Sequence, residues 1–343
     1  MRKQWVMGTS LLLVMSLAAC GETEDTGEEA AEDTTEESME EETAEEPQED
    51  TDTDGEVGAE ADFPVTIEDA VGEEVTIEEE PQRIVSLIPS NTETAFALGA
   101  GDRIVGVTDN DTYPEEVNDI QSVGGMEFDV ETILSLEPDL VLAHESSAHF
   151  SEEGFNQLQE ADITVLFVSE ASGFDDAYDS IEMIGAATGT YEEAETLVAE
   201  MQEGVNDLQE QAQEISEDER QTVWLEVGPA PEIYTTGTNT FLHEILEMIN
   251  AENAAQNEEG WVQYSEEDVI ALNPDVIITT YGFYVEDPEE EILSRSGWSD
   301  IPAVENERIY DVHADKVTRP GPRLVDGAEA IAELVYPDVF NNE

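Results

Sequence analysis

The sequence predicts an α/β protein with two lobes, each built on a parallel β-sheet flanked by helices, and three observations support this. From residue 84 onwards, short apolar runs rich in β-branched residues alternate with helical patterns, which is typical of parallel strands joined by helices. The stretch from Phe174 to Ser216 contains no proline and is dominated by helix-forming residues. A twelve-residue pattern also occurs twice, 136 positions apart.

The predicted strands fall into two groups, one for each lobe. The first group is Ile84–Leu87, Ile104–Val107, Leu140–Leu142 and Ile163–Val168, and the second is Val223–Val227, Val276–Thr279 and Ile309–Val312. Between the first two strands, Ser90 and Glu93 have the spacing of a capping box, which predicts a helix that starts there and ends at Gly99.

The proline-free stretch predicts how the lobes are connected. We expect residues 173–217 to form a long helical connection with a break near Gly189. The N-terminal lobe would then comprise residues 63–172, and the C-terminal lobe residues 218–343.

The repeated pattern covers residues 131–142 and 267–278. Each copy predicts a short helix, a Pro-Asp turn and a buried strand, with Asp129 and Ser265 as matching N-caps. Glu131 and Glu267 therefore occupy the first turns of equivalent helices. Acidic residues at such positions gain about 0.3–1 kcal/mol from the helix dipole, so a purely structural role is enough to explain both glutamates at this point.

The N-terminus predicts export and attachment to a membrane. Residues 1–19 have the basic start, the short apolar centre and the small residues of a signal peptide. Leu17-Ala-Ala-Cys20 resembles the bacterial lipobox, which implies cleavage before Cys20 and lipidation of its sulfur. Cys20 is the only cysteine in the chain, so an internal disulfide is excluded. Residues 21–62 contain 21 acidic residues and no Lys or Arg, and we expect residues 20–62 to form a disordered acidic tether.

The charge of the chain and its lack of enzyme motifs argue against nucleic-acid binding and catalysis. Residues 63–343 carry 66 acidic and 8 basic residues, and this negative charge argues against binding to nucleic acid. The sequence contains no phosphate-binding loop, no dinucleotide fingerprint, no zinc-protease helix and no nucleophile elbow. We therefore expect neither an enzyme nor a resident cofactor.

Five segments resemble, in order, the iron-siderophore and cobalamin binding proteins of ABC importers. They are Ile84–Gly99 with Arg103–Asp109, Tyr113-Pro114, Val123–Gly125, the two Pro-Asp repeats, and Arg319–Gly327. The resemblance implies two lobes joined by a long, stiff helix, with a metal chelate bound in the cleft between them. We expect a monomer, which the lipid on Cys20 would anchor to the outer face of the cell membrane. The implied partner is an ABC permease dimer with its ATPase subunits, on which Glu131 and Glu267 would dock.

Candidate ligand contacts lie in loops at the carboxyl ends of the predicted strands, where open α/β sheets bind ligands. They are Asn110, Met126, His144, Tyr234, Trp261, Tyr281 and Arg319. Tyr234 and Trp261 keep the aromatic character of cobalamin binders. Arg319 belongs to a group of three basic residues within eight positions, and we expect it to attract an anionic group of the ligand. Arg323, in the same group, is expected instead to begin a helix and pair with an acid.

Other ligands are also compatible with the sequence. Haem could be bound through Met126 or His144 from one lobe and His313 or Tyr281 from the other. A transition metal such as zinc or manganese could be held directly by His144, His149 and His313. A ligand-free surface protein is the remaining possibility.

Overall fold

A computed structural model of the protein describes residues 63–341. The predicted signal peptide, Cys20 and the acidic segment up to residue 62 lie outside the described residues. None of the helices within residues 63–341 combines the length and the apolar composition of a membrane-spanning segment.

The N-terminal lobe contains seven strands within the described residues: β1 Val65–Glu68, β2 Glu74–Ile77, β3 Ile84–Ser86, β4 Ile104–Val107, β5 Gln121–Ser122, β6 Leu140–His144 and β7 Thr164–Val168. Five of them form a parallel sheet with the strand order β5-β4-β3-β6-β7. An antiparallel hairpin of β1 and β2 precedes this sheet. The first helices are α1 Pro89–Ala97, α2 Val130–Ser135 and α3 Glu152–Glu160. The predicted strands and their parallel arrangement are confirmed, whereas β1, β2 and β5 were not predicted.

Helix α1 begins differently from the prediction. Its N-cap is Ile88, Pro89 occupies the first turn, and no side chain caps the backbone. The capping box of Ser90 and Glu93 is therefore wrong, because the Glu93 side chain is buried among other partners described below. Gly99 follows the end of the helix with φ +80°, as the sequence predicts.

The connection between the lobes consists of two helices, α4 Phe174–Thr188 and α5 Tyr191–Ala212. The predicted break is confirmed at Gly189, which ends α4 in the left-handed conformation. A Cβ added at Gly185 would lie 2.5 Å from the Cβ of Ala194, so only glycine allows the two helices to approach this closely. The connection is thus a tightly packed helical pair, in which α5 is the long helix.

The C-terminal lobe contains a four-stranded parallel sheet with the strand order β10-β8-β12-β13 and a separate antiparallel pair, β9 and β11. Its strands are β8 Thr222–Glu226, β9 Ile233–Thr236, β10 Glu252–Asn253, β11 Trp261–Tyr264, β12 Val276–Thr279 and β13 Ile309–Asp311. Its helices are α6 Phe241–Met248, α7 Glu266–Leu272, α8 Pro288–Leu293, α9 Pro302–Glu305, α10 Ala314–Val317, α11 Leu324–Val335 and α12 Pro337–Phe340. Helix α5 packs against α6, α11 and α12.

The sequence repeat is also a structural repeat. Asp139 accepts a 3.0 Å hydrogen bond from the Arg83 amide beside β3, and Asp275 accepts a 3.0 Å bond from the Thr222 amide at the start of β8. The strands that follow pair in the same sense, β6 with β3 and β12 with β8. Each Pro-Asp turn therefore sets the register between its strand and the neighbouring strand.

Both sheets are buried on both faces. Along β6, Leu140 and Leu142 join one apolar cluster, whereas Val141 joins another. The cluster with Leu140 continues through α4, α5 and α11 to Leu225 of the second sheet. Parallel strands covered on both sides read as continuous apolar runs, which is why these strands were recognisable. The shared core joins the two lobes and fixes the walls of the space between them.

Candidate functional site

A cleft of about 780 Å³ lies between the two lobes, at the carboxyl ends of strands from both sheets. The N-terminal lobe contributes residues that follow β3 and β4, namely Pro89, Asp109, Asn110, Thr112 and Tyr113. The C-terminal lobe contributes Val227, Trp261, Thr280, Phe283, Tyr284, His313, Ala314, Asp315, Thr318, Arg319 and Arg323. This placement follows the general rule for open α/β sheets.

Three of the seven predicted ligand contacts line this cleft: Asn110, Trp261 and Arg319. Trp261 begins β11 and is 52% exposed, so a large part of its indole is available for contact. Its other side packs edge-on against Phe241, with ring centroids 6.3 Å apart. Trp261 is thus held on the cleft wall without being covered.

The structure places Met126, His144 and Tyr234 outside the cleft. Met126 is 87% exposed on the loop before α2. Tyr234 lies on β9, where it pairs with Gln263 of β11 and points to solvent. His144 is buried at the end of β6, where its Nδ1 lies 2.8 Å from the Ser146 hydroxyl and burial lowers its pKa.

Tyr281 also lies outside the cleft, which corrects the prediction for this residue. Its side chain is fully buried, and its hydroxyl donates a 2.8 Å hydrogen bond to Glu226. Burial, together with the nearby Glu226 carboxylate, raises the pKa of Tyr281 well above its ordinary value. The ring has no surface left for a ligand.

The next aromatic residues of the same loop take the place expected for Tyr281. Phe283 and Tyr284 line the cleft, are 74% and 57% exposed, and contact each other with ring centroids 4.6 Å apart. Tyr113 of the other lobe lines the same cleft. These residues were missed, although the aromatic run that follows β12, Tyr281-Gly-Phe-Tyr284, is a signal that could have revealed two of them.

A buried polar network supports the aromatic loop. Arg295 donates two hydrogen bonds to Glu226, of 2.9 and 2.6 Å, and Trp224 Nε1 donates a third of 3.1 Å. Burial alone would lower the pKa of Arg295, but the hydrogen bonds to Glu226 and Glu291 raise it above its ordinary value. Because Tyr281 binds the same carboxylate, the network anchors the start of the loop that carries Phe283 and Tyr284.

The arginines of the cleft are already paired with acids. Glu93 of α1 accepts hydrogen bonds from Arg319, at 3.0 Å, and from Arg323, at 2.8 and 2.7 Å. Arg319 also pairs with Asp315 at 3.0 Å. The expected pairing of Arg323 is confirmed. Arg319 differs from the expectation of a free cation, because it pairs with Asp315 and shares Glu93 with Arg323.

The two glutamates of the repeat occupy equivalent surface positions. Glu131 and Glu267 are each the second residue of their helix, after the N-caps Asp129 and Ser265. Asp129 accepts from the amides of Glu131 and Thr132, and Ser265 accepts from the Asp268 amide, as predicted. Both glutamates are exposed, and neither forms an ion pair within residues 63–341.

The histidines proposed as direct metal ligands do not converge. His313 lines the cleft, whereas His144 is buried elsewhere and His149 is exposed near the start of α3. Within residues 63–341, no group of three His, Cys, Asp or Glu side chains is arranged to hold a metal ion.

Comparison with known proteins shows which family has this architecture. Residues 84–316 match the Periplasmic binding protein family. This chain belongs to that family. It is 52% identical over 278 residues to the uncharacterized ABC transporter substrate-binding lipoprotein YvrC of Bacillus subtilis (strain 168), covering 81% of this binding protein and 87% of the relative.

Two further proteins resemble this binding protein. A cobalamin-binding protein of Halobacterium salinarum is 28% identical over 282 residues, covering 80% of this chain and 74% of the relative. The crystal structure of a possible iron-binding periplasmic solute-binding protein from Staphylococcus epidermidis superimposes with a TM-score of 0.67, at 36% identity, covering 75% of this chain and all of that one. The resemblance to ABC importer binding proteins is therefore confirmed, as is the two-lobed α/β fold.

Proposed function

We propose that this binding protein captures a metal chelate, a corrinoid or a ferric siderophore, outside the cell and delivers it to an ABC permease. Among these ligands the cleft favours a corrinoid such as cobalamin. The observation that supports this choice is the set of exposed aromatic rings around the cleft, contributed by Tyr113, Trp261, Phe283 and Tyr284. Aromatic side chains stack on flat apolar groups, and a corrin ring with its substituents offers such faces.

The charge of the cleft supports the same choice. Arg319 and Arg323 are balanced by Glu93 and Asp315, and Asp109 adds a further negative charge at the lining. A strongly anionic chelate would meet no excess of positive charge here. The cobalamin-binding relative from Halobacterium salinarum agrees with this assignment.

Predicted features of the rest of the chain support the proposed delivery. Lipidation of Cys20 would anchor a monomer to the outer face of the cell membrane, and residues 21–62 would give the folded part reach. The exposed Glu131 and Glu267 would dock one on each half of a permease dimer, where pairing with arginines steers association. The protein itself would catalyse no reaction.

Haem is a second candidate, and His313 favours it. This histidine lies on the cleft lining, where an imidazole could serve as an axial ligand. The other predicted axial ligands, Met126, His144 and Tyr281, do not line the cleft.

The test is a binding titration of the exported chain carrying Cys20→Ser, which removes the lipid. Cobalamin, haem and ferric hydroxamate and catecholate chelates are added separately, and binding is followed by calorimetry and tryptophan fluorescence. We expect cobalamin to bind and to quench Trp261. A Soret band that depends on His313 would favour haem instead, and no binding of any chelate would refute the proposal.

A further inference from the structure

Glu93 occupies an unusual position between the lobes. It lies in the middle of α1 in the N-terminal lobe, with only 2% of its side chain exposed. Both of its carboxylate oxygens are used by arginines of the other lobe, Oε1 by Arg319 and Arg323 and Oε2 by Arg323. A carboxylate this deeply buried requires paired cations, and two guanidinium groups supply them.

The remaining polar groups around Arg319 complete the network. Asp315 binds Arg319 at 3.0 Å and also accepts a 2.9 Å hydrogen bond from the Thr112 hydroxyl. The backbone carbonyl of Asn110 accepts a 3.1 Å hydrogen bond from Arg319. Arg323 stacks over the ring of Tyr113, with 4.0 Å between its central carbon and the ring centroid. Two acids thus balance two arginines at one end of the cleft.

Removal of Glu93 alone would leave one unbalanced positive charge at this end of the cleft. Arg319 and Arg323 would then face the ligand with only Asp315 as a charged partner. Charges in a partly desolvated site act strongly on a bound ion, because little water is present to screen them. A preference between neutral and anionic chelates would then depend on one carboxylate, that of the almost fully buried Glu93.

We propose that Glu93 determines specificity: together with Asp315 it balances the charges of Arg319 and Arg323, and it thereby excludes chelates that carry several negative charges and admits neutral or weakly charged ones. The inference rests on the proposed function, because it concerns the same cleft. The sequence gives no indication of this role, because the spacing of Ser90 and Glu93 is that of a capping box. Specificity of this kind arises from an element that disfavours the wrong ligand as much as from contacts with the right one.

The experiment measures how Glu93→Gln alters the binding of cobalamin and of a ferric tris-catecholate chelate, by calorimetry on the Cys20→Ser chain. We expect the substitution to increase affinity for the anionic chelate relative to cobalamin on the order of tenfold. Glu80→Gln is the matched control, because Glu80 pairs with Arg103 at 2.9 Å outside the cleft lining. The control should leave the ratio of affinities unchanged.

Two outcomes would overturn the inference. One is a wild-type protein that binds the tris-catecholate as tightly as cobalamin, and the other is an unchanged ratio in Glu93→Gln. If Glu93→Gln does not fold, as judged by circular dichroism, Asp315→Asn serves as the second variant and should shift the ratio in the same direction. If the wild-type protein binds no chelate, the proposed function fails, yet gain of tris-catecholate binding by Glu93→Gln would still support the role of Glu93, and no gain would refute it.

Discussion

Arg295 and Glu226 form a two-pronged ion pair inside the C-terminal lobe, with Nη1 to Oε2 at 2.9 Å and Nη2 to Oε1 at 2.6 Å. The exposed fractions of the two side chains are 4% and 0%. The pair lies beneath the loop that carries Phe283 and Tyr284 and is connected to it through Tyr281. This buried ion pair thus supports one wall of the cleft.

The first prediction concerns this pair. Arg295→Met leaves the carboxylate of Glu226 buried without a cation, and breaking a buried pair in this way costs about 3–5 kcal/mol. Urea denaturation of the Cys20→Ser chain should show this loss in the free energy of unfolding. Lys316→Met is the control, because Lys316 and Asp326 form an exposed pair at 3.8 Å, which contributes about 0–1 kcal/mol. Equal losses in the two variants would contradict the prediction.

Trp261 should report ligand binding. The other tryptophans of the described residues, Trp224 and Trp298, have no exposed surface, so Trp261→Phe should remove the part of the ligand-induced fluorescence change that arises from direct contact with the ligand. Trp261→Ala should weaken binding about three- to tenfold, the range expected for the loss of one aromatic stacking contact. Tyr234→Ala tests the neighbouring strand. Because Tyr234 does not line the cleft, we expect the Tyr234→Ala variant to bind the ligand with unchanged affinity. A loss of affinity equal to that of Trp261→Ala would place Tyr234 in the binding site.

Glu131 and Glu267 should be required for uptake and not for binding. Reversal of both charges, Glu131→Arg with Glu267→Arg, should abolish uptake of the labelled chelate by cells, because like charges would face each other at the permease. Affinity measured by calorimetry should not change, since neither residue lines the cleft. The control reverses the charges of Glu153 and Glu289, which also lie in the first turns of helices. Uptake that survives the first pair of substitutions would refute the docking role.

Glu244 should make stability depend on pH. It lies on α6 and accepts a 2.9 Å hydrogen bond from the Phe174 amide at the start of α4. Burial, assisted by Asp175, Asp176 and Glu247, raises the pKa of its carboxyl above the ordinary value. The folded state therefore holds this proton more tightly than the unfolded state does. The resulting stability is fully present below the ordinary pKa and is lost as the pH rises through the raised pKa.

Glu244→Gln keeps the side chain neutral and retains an acceptor for Phe174. We expect its Tm to exceed that of the wild type at pH 7 and to match it at pH 4, in thermal unfolding followed by circular dichroism. Glu203→Gln, at an exposed position on α5, makes the same change in net charge and should raise the Tm less at pH 7. An equal rise in both variants would show that the effect is one of net charge alone.

The strands and the repeat could be predicted because their signals are local. Val141 and Trp224 face clusters on the opposite side of the sheets from Leu142 and Leu225, so the central positions of both strands are apolar. Asp129 and Ser265 accept hydrogen bonds from amides two or three residues further along the chain. Because these contacts are so local, the spacing of the residues in the sequence is enough to predict them. The break at Gly189 is of the same kind, since it depends on the backbone of one residue.

The site was predicted only in part, because loop residues are oriented by distant partners. Tyr281 and Tyr284 are three positions apart in an aromatic run, yet one is buried against Glu226 and the other lines the cleft. Nothing in the run itself distinguishes them. His144 likewise ends a strand in the expected place but turns into the protein interior.

The sequence by itself determined the fold class, the parallel sheets, the paired Glu131 and Glu267 and the place of the cleft at the strand ends. Only the tertiary structure decided the charge of that cleft. Glu93 and Arg319 lie 226 positions apart, and the short spacing from Ser90 to Glu93 indicates a helix cap and not a partner in another lobe. The electrostatic character of a site depends on which charges fold together, and that information is held in packing between elements rather than in any one segment.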